Sequence, residues 1–260
     1  MIQIHHQWHG PEGGPVLVLI NGLLTDMRRW AAQLPAYAEK HQVLTYDCRG
    51  QGQSAKPEDG PYTPALHAQD LKDLLDRLGV EQAVLMGVSN GTCIALEFAI
   101  RWPERVRGLV LANGYGRVDP ALQFKFQTWL TAWEVGGGPL HYEISTPWIW
   151  GATFINQNHE RLKPHEGTGS GFPLHAVQHL IRGSYGFDVL DQAAAITCPT
   201  LLLAGDEDLF TPLTYSHELQ RRIFGSQIVL LREAGHCMFL EQPEQCTRAI
   251  LAFLTQHGLS

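Results

Sequence analysis

The chain has 260 residues, of which 44% are hydrophobic, and it carries 19 Lys and Arg against 26 Asp and Glu for a formal charge of -7. This length holds one core of useful size without a second independent domain, and a mean hydropathy of -0.12 with only short aliphatic runs predicts no membrane span. The acidic balance leaves no basic field to gather phosphates, which argues against a nucleic-acid partner and slightly disfavours strongly anionic substrates such as a carrier protein.

Residues 1–14 are polar and histidine-rich, with no basic stretch leading into an apolar one, so the expectation is a cytoplasmic protein without a secretory signal. The five cysteines (Cys48, Cys93, Cys198, Cys237 and Cys246) are odd in number and form no C-x-x-C pair, as expected for reduced thiols. His5-His6 and the pair His175 and His179 lack the glutamate of an H-E-x-x-H motif and any third ligand, so surface positions are expected and neither a metal nor a cofactor is called for.

Apolar runs at 16–20, 43–46, 83–87, 106–112, 200–204 and 228–231 read as strands, and helical patterns separate most of them. That alternation predicts a doubly wound, mostly parallel sheet. Leu71, Leu74, Leu75 and Leu78 share one helical face that ends at Gly79. A last helix is expected from Pro243 to about residue 255.

Residues 116–196 interrupt the alternation and read as a helical cap inserted into a core of 1–115 and 197–260. A helix at 121–133 would lay aromatic side chains over the sheet. Trp129, Trp133, Trp148 and Trp150 are four of the seven tryptophans, and together they point to an apolar pocket. Gly136-Gly137-Gly138 and the stretch 167–171 read as flexible connections within the cap.

The chemistry is concentrated at strand ends. After the run at 83–87 comes Gly87-Val88-Ser89-Asn90-Gly91, whose glycines permit a sharp strand-to-helix turn that exposes the Ser89 hydroxyl. A serine nucleophile needs a base, and the base needs an orienting carboxylate. Asp206, Glu207 and Asp208 follow the run at 200–204, and His236 follows the run at 228–231.

With this order of serine, acid and histidine, the chain resembles the α/β-hydrolase superfamily over nearly its whole length. Ile20-Asn21-Gly22-Leu23 with Trp30 looks like the family's oxyanion loop, and the turn from Asp47 to Ser54 looks like another family turn. The resemblance implies an α/β-hydrolase fold with Ser89 as nucleophile, His236 as base and Asp208, selected from its acidic neighbours by the family spacing, as orienting acid. It also implies an oxyanion hole formed by the backbone N–H groups of Leu23 and Asn90. Asn21 stands where His-Gly is usual, and this resembles enol-lactonases and the bacterial synthases that join two 3-hydroxyacyl chains. Asn21 and Asn90 are both candidates for substrate contact, whereas Asp47 and Arg49 are expected to hold their loop.

The leading expectation is hydrolysis of a small-molecule ester or lactone with an apolar acyl group, through an acyl-enzyme. The alternatives are an acyltransferase or thioesterase acting on an acyl thioester, and a ligand receptor built on the same fold.

Overall fold

The computed structural model describes residues 2–163 and 171–260. Seven strands form one sheet: β1 (His6–His9), β2 (Val16–Ile20), β3 (Gln42–Tyr46), β4 (Ala83–Val88), β5 (Val106–Ala112), β6 (Thr200–Gly205) and β7 (Gln227–Leu231). Their spatial order is β1-β3-β2-β4-β5-β6-β7. β1 pairs antiparallel with β3, and every other pairing is parallel. The six strands expected from apolar runs are all present. β1, with the sequence His-Gln-Trp-His, has no apolar run to announce it, and it survives because a half-exposed edge strand needs few buried side chains.

The helices are α1 (Leu34–Tyr37), α2 (Pro64–Arg77), α3 (Asn90–Arg101), α4 (Pro120–Ile149), α5 (Ala152–Asn158), α6 (Leu174–Gly183), α7 (Leu213–Arg222), α8 (Met238–Glu241) and α9 (Pro243–Gln256). α2 starts earlier than its leucine pattern indicated. Thr63 caps its first turn by accepting the Leu66 N–H at 3.2 Å, and Pro64 supplies a favourable first position.

Strand alternation divides the apolar residues between two cores. Val18, Ile20, Leu85, Leu109 and Leu111 join Leu71, Leu74 and Leu75 of α2 and Ile94 and Phe98 of α3 on one face. Leu17, Leu19, Val84, Met86 and Val110 join Trp30, Tyr37 and the α9 residues Ile250, Phe253 and Leu254 on the other. Each buried aliphatic side chain contributes roughly 1.5–3 kcal/mol, so a sheet covered on both faces is held firmly. That rigidity fixes the strand ends where the chemical groups stand.

Between β5 and β6 the described residues form helices α4 to α6 with short helical turns, and contain no sheet strand. The segment's entry and exit lie side by side, because the Val189 N–H donates to the Gly116 carbonyl at 2.9 Å and the Val118 N–H to the Phe187 carbonyl at 2.8 Å. The helix expected at 121–133 is the first half of α4. Gly137 interrupts α4 with φ 64 and ψ -157, followed by Pro139. In a straight helix Trp129 and His141 would stand about 18 Å apart; here their rings are 5.2 Å apart, so the two halves fold against each other. The glycine triplet therefore makes a turn that packs two aromatic-bearing segments together. Of the other glycine-bearing stretch, 167–171, only Gly171 lies within the described residues.

Candidate active site

Ser89 stands between β4 and α3 with φ 54 and ψ -121, a conformation costly for a residue with a side chain. Its neighbours leave it little alternative. A Cβ on Gly87 would lie 2.3 Å from the Gly91 carbonyl oxygen, and one on Gly91 would lie 2.4 Å from the Ile20 carbonyl oxygen. Only glycine permits this tight elbow, which sets Ser89 ahead of the N-terminal end of α3.

His236 and Asp208 arrive on the loops after β7 and β6. His236 Nδ1 lies 2.8 Å from Asp208 Oδ2. The other carboxylate oxygen, Oδ1, accepts the Phe210 and Thr211 N–H groups, both at 2.8 Å. The adjacent acids have different partners: Asp206 faces Arg232 at 3.4 Å, while Glu207 accepts the Thr153 N–H at 2.8 Å and its hydroxyl at 2.6 Å. Family spacing singled out Asp208 among these three acids, and it is Asp208 whose carboxylate lies against the imidazole.

Two residues that motif reading missed hold this pair. The Thr211 hydroxyl lies 2.9 Å from Asp208 Oδ2 and 3.0 Å from both His236 Nδ1 and the Asn113 carbonyl oxygen. Asn113, at the end of β5, donates from Nδ2 to the Gly235 and His236 carbonyls at 2.9 and 3.1 Å, and its Oδ1 accepts the Gly205 N–H at 3.0 Å. An asparagine just past a strand was the available sign, since this residue tolerates the φ of 44 found there.

Ser89 and His236 both line a cavity of about 240 Å³. No hydrogen bond joins their side chains among the described residues, a separation common before substrate binds. Leu23 lines the same cavity. Neither its N–H nor that of Asn90 is spent on a protein acceptor among the described hydrogen bonds.

Trp129, Trp133 and Trp150 also line the cavity, together with His141, Tyr142, Phe172 and Arg29. Trp129 stacks on Phe210 at 4.1 Å with planes 5° apart, and the Phe210 ring lies 5.1 Å from that of His236. The helical segment thus rests on the histidine through one aromatic ring. Burial lowers the His141 imidazole to about 4, so it is neutral at physiological pH.

Trp148 does not reach the cavity and packs against the core instead. Asn21 is also outside it. Its Nδ2 donates to the Tyr46 carbonyl at 3.0 Å and its Oδ1 accepts the Trp30 indole N–H at 2.7 Å, so both ends of the amide are committed to the loop. The Asn90 side chain is likewise buried, accepting from Tyr115 at 3.4 Å and Ser184 at 3.3 Å.

Asp47 accepts the Met27 and Gln53 N–H groups, and Arg49 forms a two-pronged pair with Asp70 at 2.8 and 2.7 Å, so both hold their turn. His175 and His179 each bind a backbone carbonyl, of Lys56 and Glu58. Among the described residues no cluster of three or more His, Cys, Asp or Glu could hold a metal, and no helix is long and apolar enough to cross a membrane.

Fold and strand-end geometry define an α/β hydrolase. The α/β-hydrolase fold profile matches residues 15–243, and the chain belongs to that family. RutD of Caulobacter sp. (strain K31), assigned as a carbamate hydrolase, is 30% identical over 255 residues, 95% of each chain. MGS-M2, an α/β hydrolase from a Medee basin deep-sea metagenome, superposes with a TM-score of 0.90 at 28% identity, covering 98% of this chain and 94% of that one. The enol-lactonase of Burkholderia xenovorans LB400 superposes with a TM-score of 0.89 at 26% identity, covering 98% and 97%.

Proposed function

We propose that the protein is a serine hydrolase that cleaves a carboxylic ester or lactone through an acyl-enzyme on Ser89. One observation carries this reading: Ser89 and His236 line one cavity, and Asp208 lies 2.8 Å from Nδ1 of the imidazole. In this reading His236 accepts the Ser89 proton as Oγ attacks the acyl carbon, then returns it to the leaving oxygen. Asp208 fixes the tautomer and stabilises the imidazolium. The unspent N–H groups of Leu23 and Asn90 receive the oxyanion, each worth roughly 3 kcal/mol of transition-state stabilisation. Water then enters and reverses the sequence to release the acid.

Esterase, lactonase and carbamate-hydrolase likenesses agree with acyl cleavage in general. The deciding experiment follows 4-nitrophenyl esters of rising chain length, a lactone series and a carbamate ester with wild type and Ser89→Ala, recording release kinetics and intact mass. The expected result is turnover with a chain-length optimum, lowered by roughly 10³-fold or more in Ser89→Ala. Equal turnover in the variant would remove Ser89 from the chemistry. An acylated Ser89 that accumulates would mark a transferase lacking its acceptor.

A further inference from the structure

We propose that Arg29 makes the cavity selective for an acyl compound that carries a carboxylate apart from its scissile carbonyl. This rests on the serine-hydrolase reading and narrows it.

Arg29 sits in the helical turn Met27–Trp30, after the loop that bears Leu23. Its Nη2 donates to Cys237 Sγ at 3.0 Å, which places the guanidinium beside the residue next to His236. Arg29, Cys237, Ser89 and His236 all line the one cavity.

A thiol is a weak acceptor for such a group, and burial pushes the Cys237 thiol up, keeping it uncharged. Of the acids around this contact, Asp26 is gripped by Arg28 through contacts of 2.9 and 2.6 Å and Asp47 by two backbone N–H groups, while Glu241, whose charge reaches Cys237, accepts the Gly151 and Gly235 N–H groups through Oε2 at 2.9 and 2.8 Å and lies outside the cavity lining. No Asp or Glu lines the cavity among the described residues. His141, lowered to about 4 by burial, is uncharged at neutral pH.

The lining thus places a guanidinium among aromatic and aliphatic groups without a carboxylate to match it. A wholly apolar substrate would leave it so, whereas a carboxylate would gain paired, charge-assisted hydrogen bonds in a partly dehydrated site. The overall charge of -7 acts against anions at long range, but it is screened beyond about 10 Å at ordinary salt, where the contact with Arg29 is not.

The test uses two matched pairs of esters: 4-carboxyphenyl butyrate with phenyl butyrate, and monophenyl adipate with phenyl heptanoate. They place the carboxylate on the leaving side or the acyl side. Wild type should favour the charged member of one pair in kcat/KM. Arg29→Met should lower that charged-to-neutral ratio by about 30-fold, mainly through KM, and Arg29→Lys should restore part of it. A ratio that Arg29→Met leaves within about twofold of wild type in both pairs would overturn the proposal.

Adipate-induced thermal stabilisation of Ser89→Ala, with and without Arg29→Met, reads the same contact without turnover. Loss of that shift in the double variant upholds the assignment even if no ester is hydrolysed, the result that would defeat the serine-hydrolase reading. An unchanged shift overturns it.

Discussion

The Asn113 side chain donates to the backbone of His236 at 3.1 Å while accepting the Gly205 N–H at 3.0 Å, so one amide ties the histidine loop to the strand that leads to Asp208. Three loops meet at this side chain, because Asn113 itself opens the loop that follows β5. Replacing it with alanine leaves buried carbonyls and an N–H unpaired, at about 1–3 kcal/mol for each group that water cannot reach. Asn113→Ala should lower the melting temperature and reduce kcat by about 10- to 100-fold with a smaller change in KM. Thermal unfolding and ester kinetics on the same preparation check both effects; a large change in KM alone would place Asn113 elsewhere in the mechanism.

Thr211→Val keeps the shape but removes the hydroxyl that touches Asp208 and His236. The expected loss is about 10-fold in kcat, from an imidazole held less firmly, with stability lowered by about 1–3 kcal/mol because the buried Asn113 carbonyl loses the hydroxyl as partner. Thr211→Ser should recover most of the rate. Denaturant midpoints and kcat for the two variants separate positioning from folding.

Asn21→Ala leaves the Trp30 indole N–H and the Tyr46 carbonyl without the partners they have at 2.7 and 3.0 Å. Stability should fall by about 1–3 kcal/mol, and the relative rates across an ester chain-length series should keep their order. A reordered series would restore Asn21 to the substrate pocket, which its committed amide argues against.

His67 is fully buried on α2 with neither ring nitrogen paired among the described residues, and burial, aided by the Arg49 charge, lowers it to about 3; burial alone lowers His141 to about 4. Their folded values lie below the ordinary 6.5, so the unfolded chain binds more protons below that pH. The stability they confer as neutral rings is complete above about pH 6.5 and is lost as pH falls toward 4 and 3. His67→Leu should reduce the acid dependence of the unfolding free energy across that window and, by removing unpaired nitrogens, leave stability at neutral pH equal or higher. Urea midpoints at a series of pH values test this.

The strands, the elbow and the order of Ser89, acid and His236 were legible in sequence because each depends on local chemistry: apolar runs that make strands, glycines that permit a turn, side chains able to move a proton. β1 escaped because an edge strand can be polar. The acid was read only by family spacing, since Asp206, Glu207 and Asp208 are chemically alike and differ in what the fold puts opposite them.

By itself the sequence determined a doubly wound α/β hydrolase and the strand ends where a nucleophile, an acid and a base would stand. Only the tertiary structure decided what stands opposite each of the three acids, that Asn21 spends both ends of its amide and Asn90 its amide oxygen on the scaffold, and that Trp129, Trp133 and Trp150 line the cavity while Trp148 does not. It also brought Arg29 to Cys237, a contact between residues 208 positions apart. Such pairings depend on where distant loops converge at the edge of the sheet, and residue spacing along a chain carries no record of that convergence.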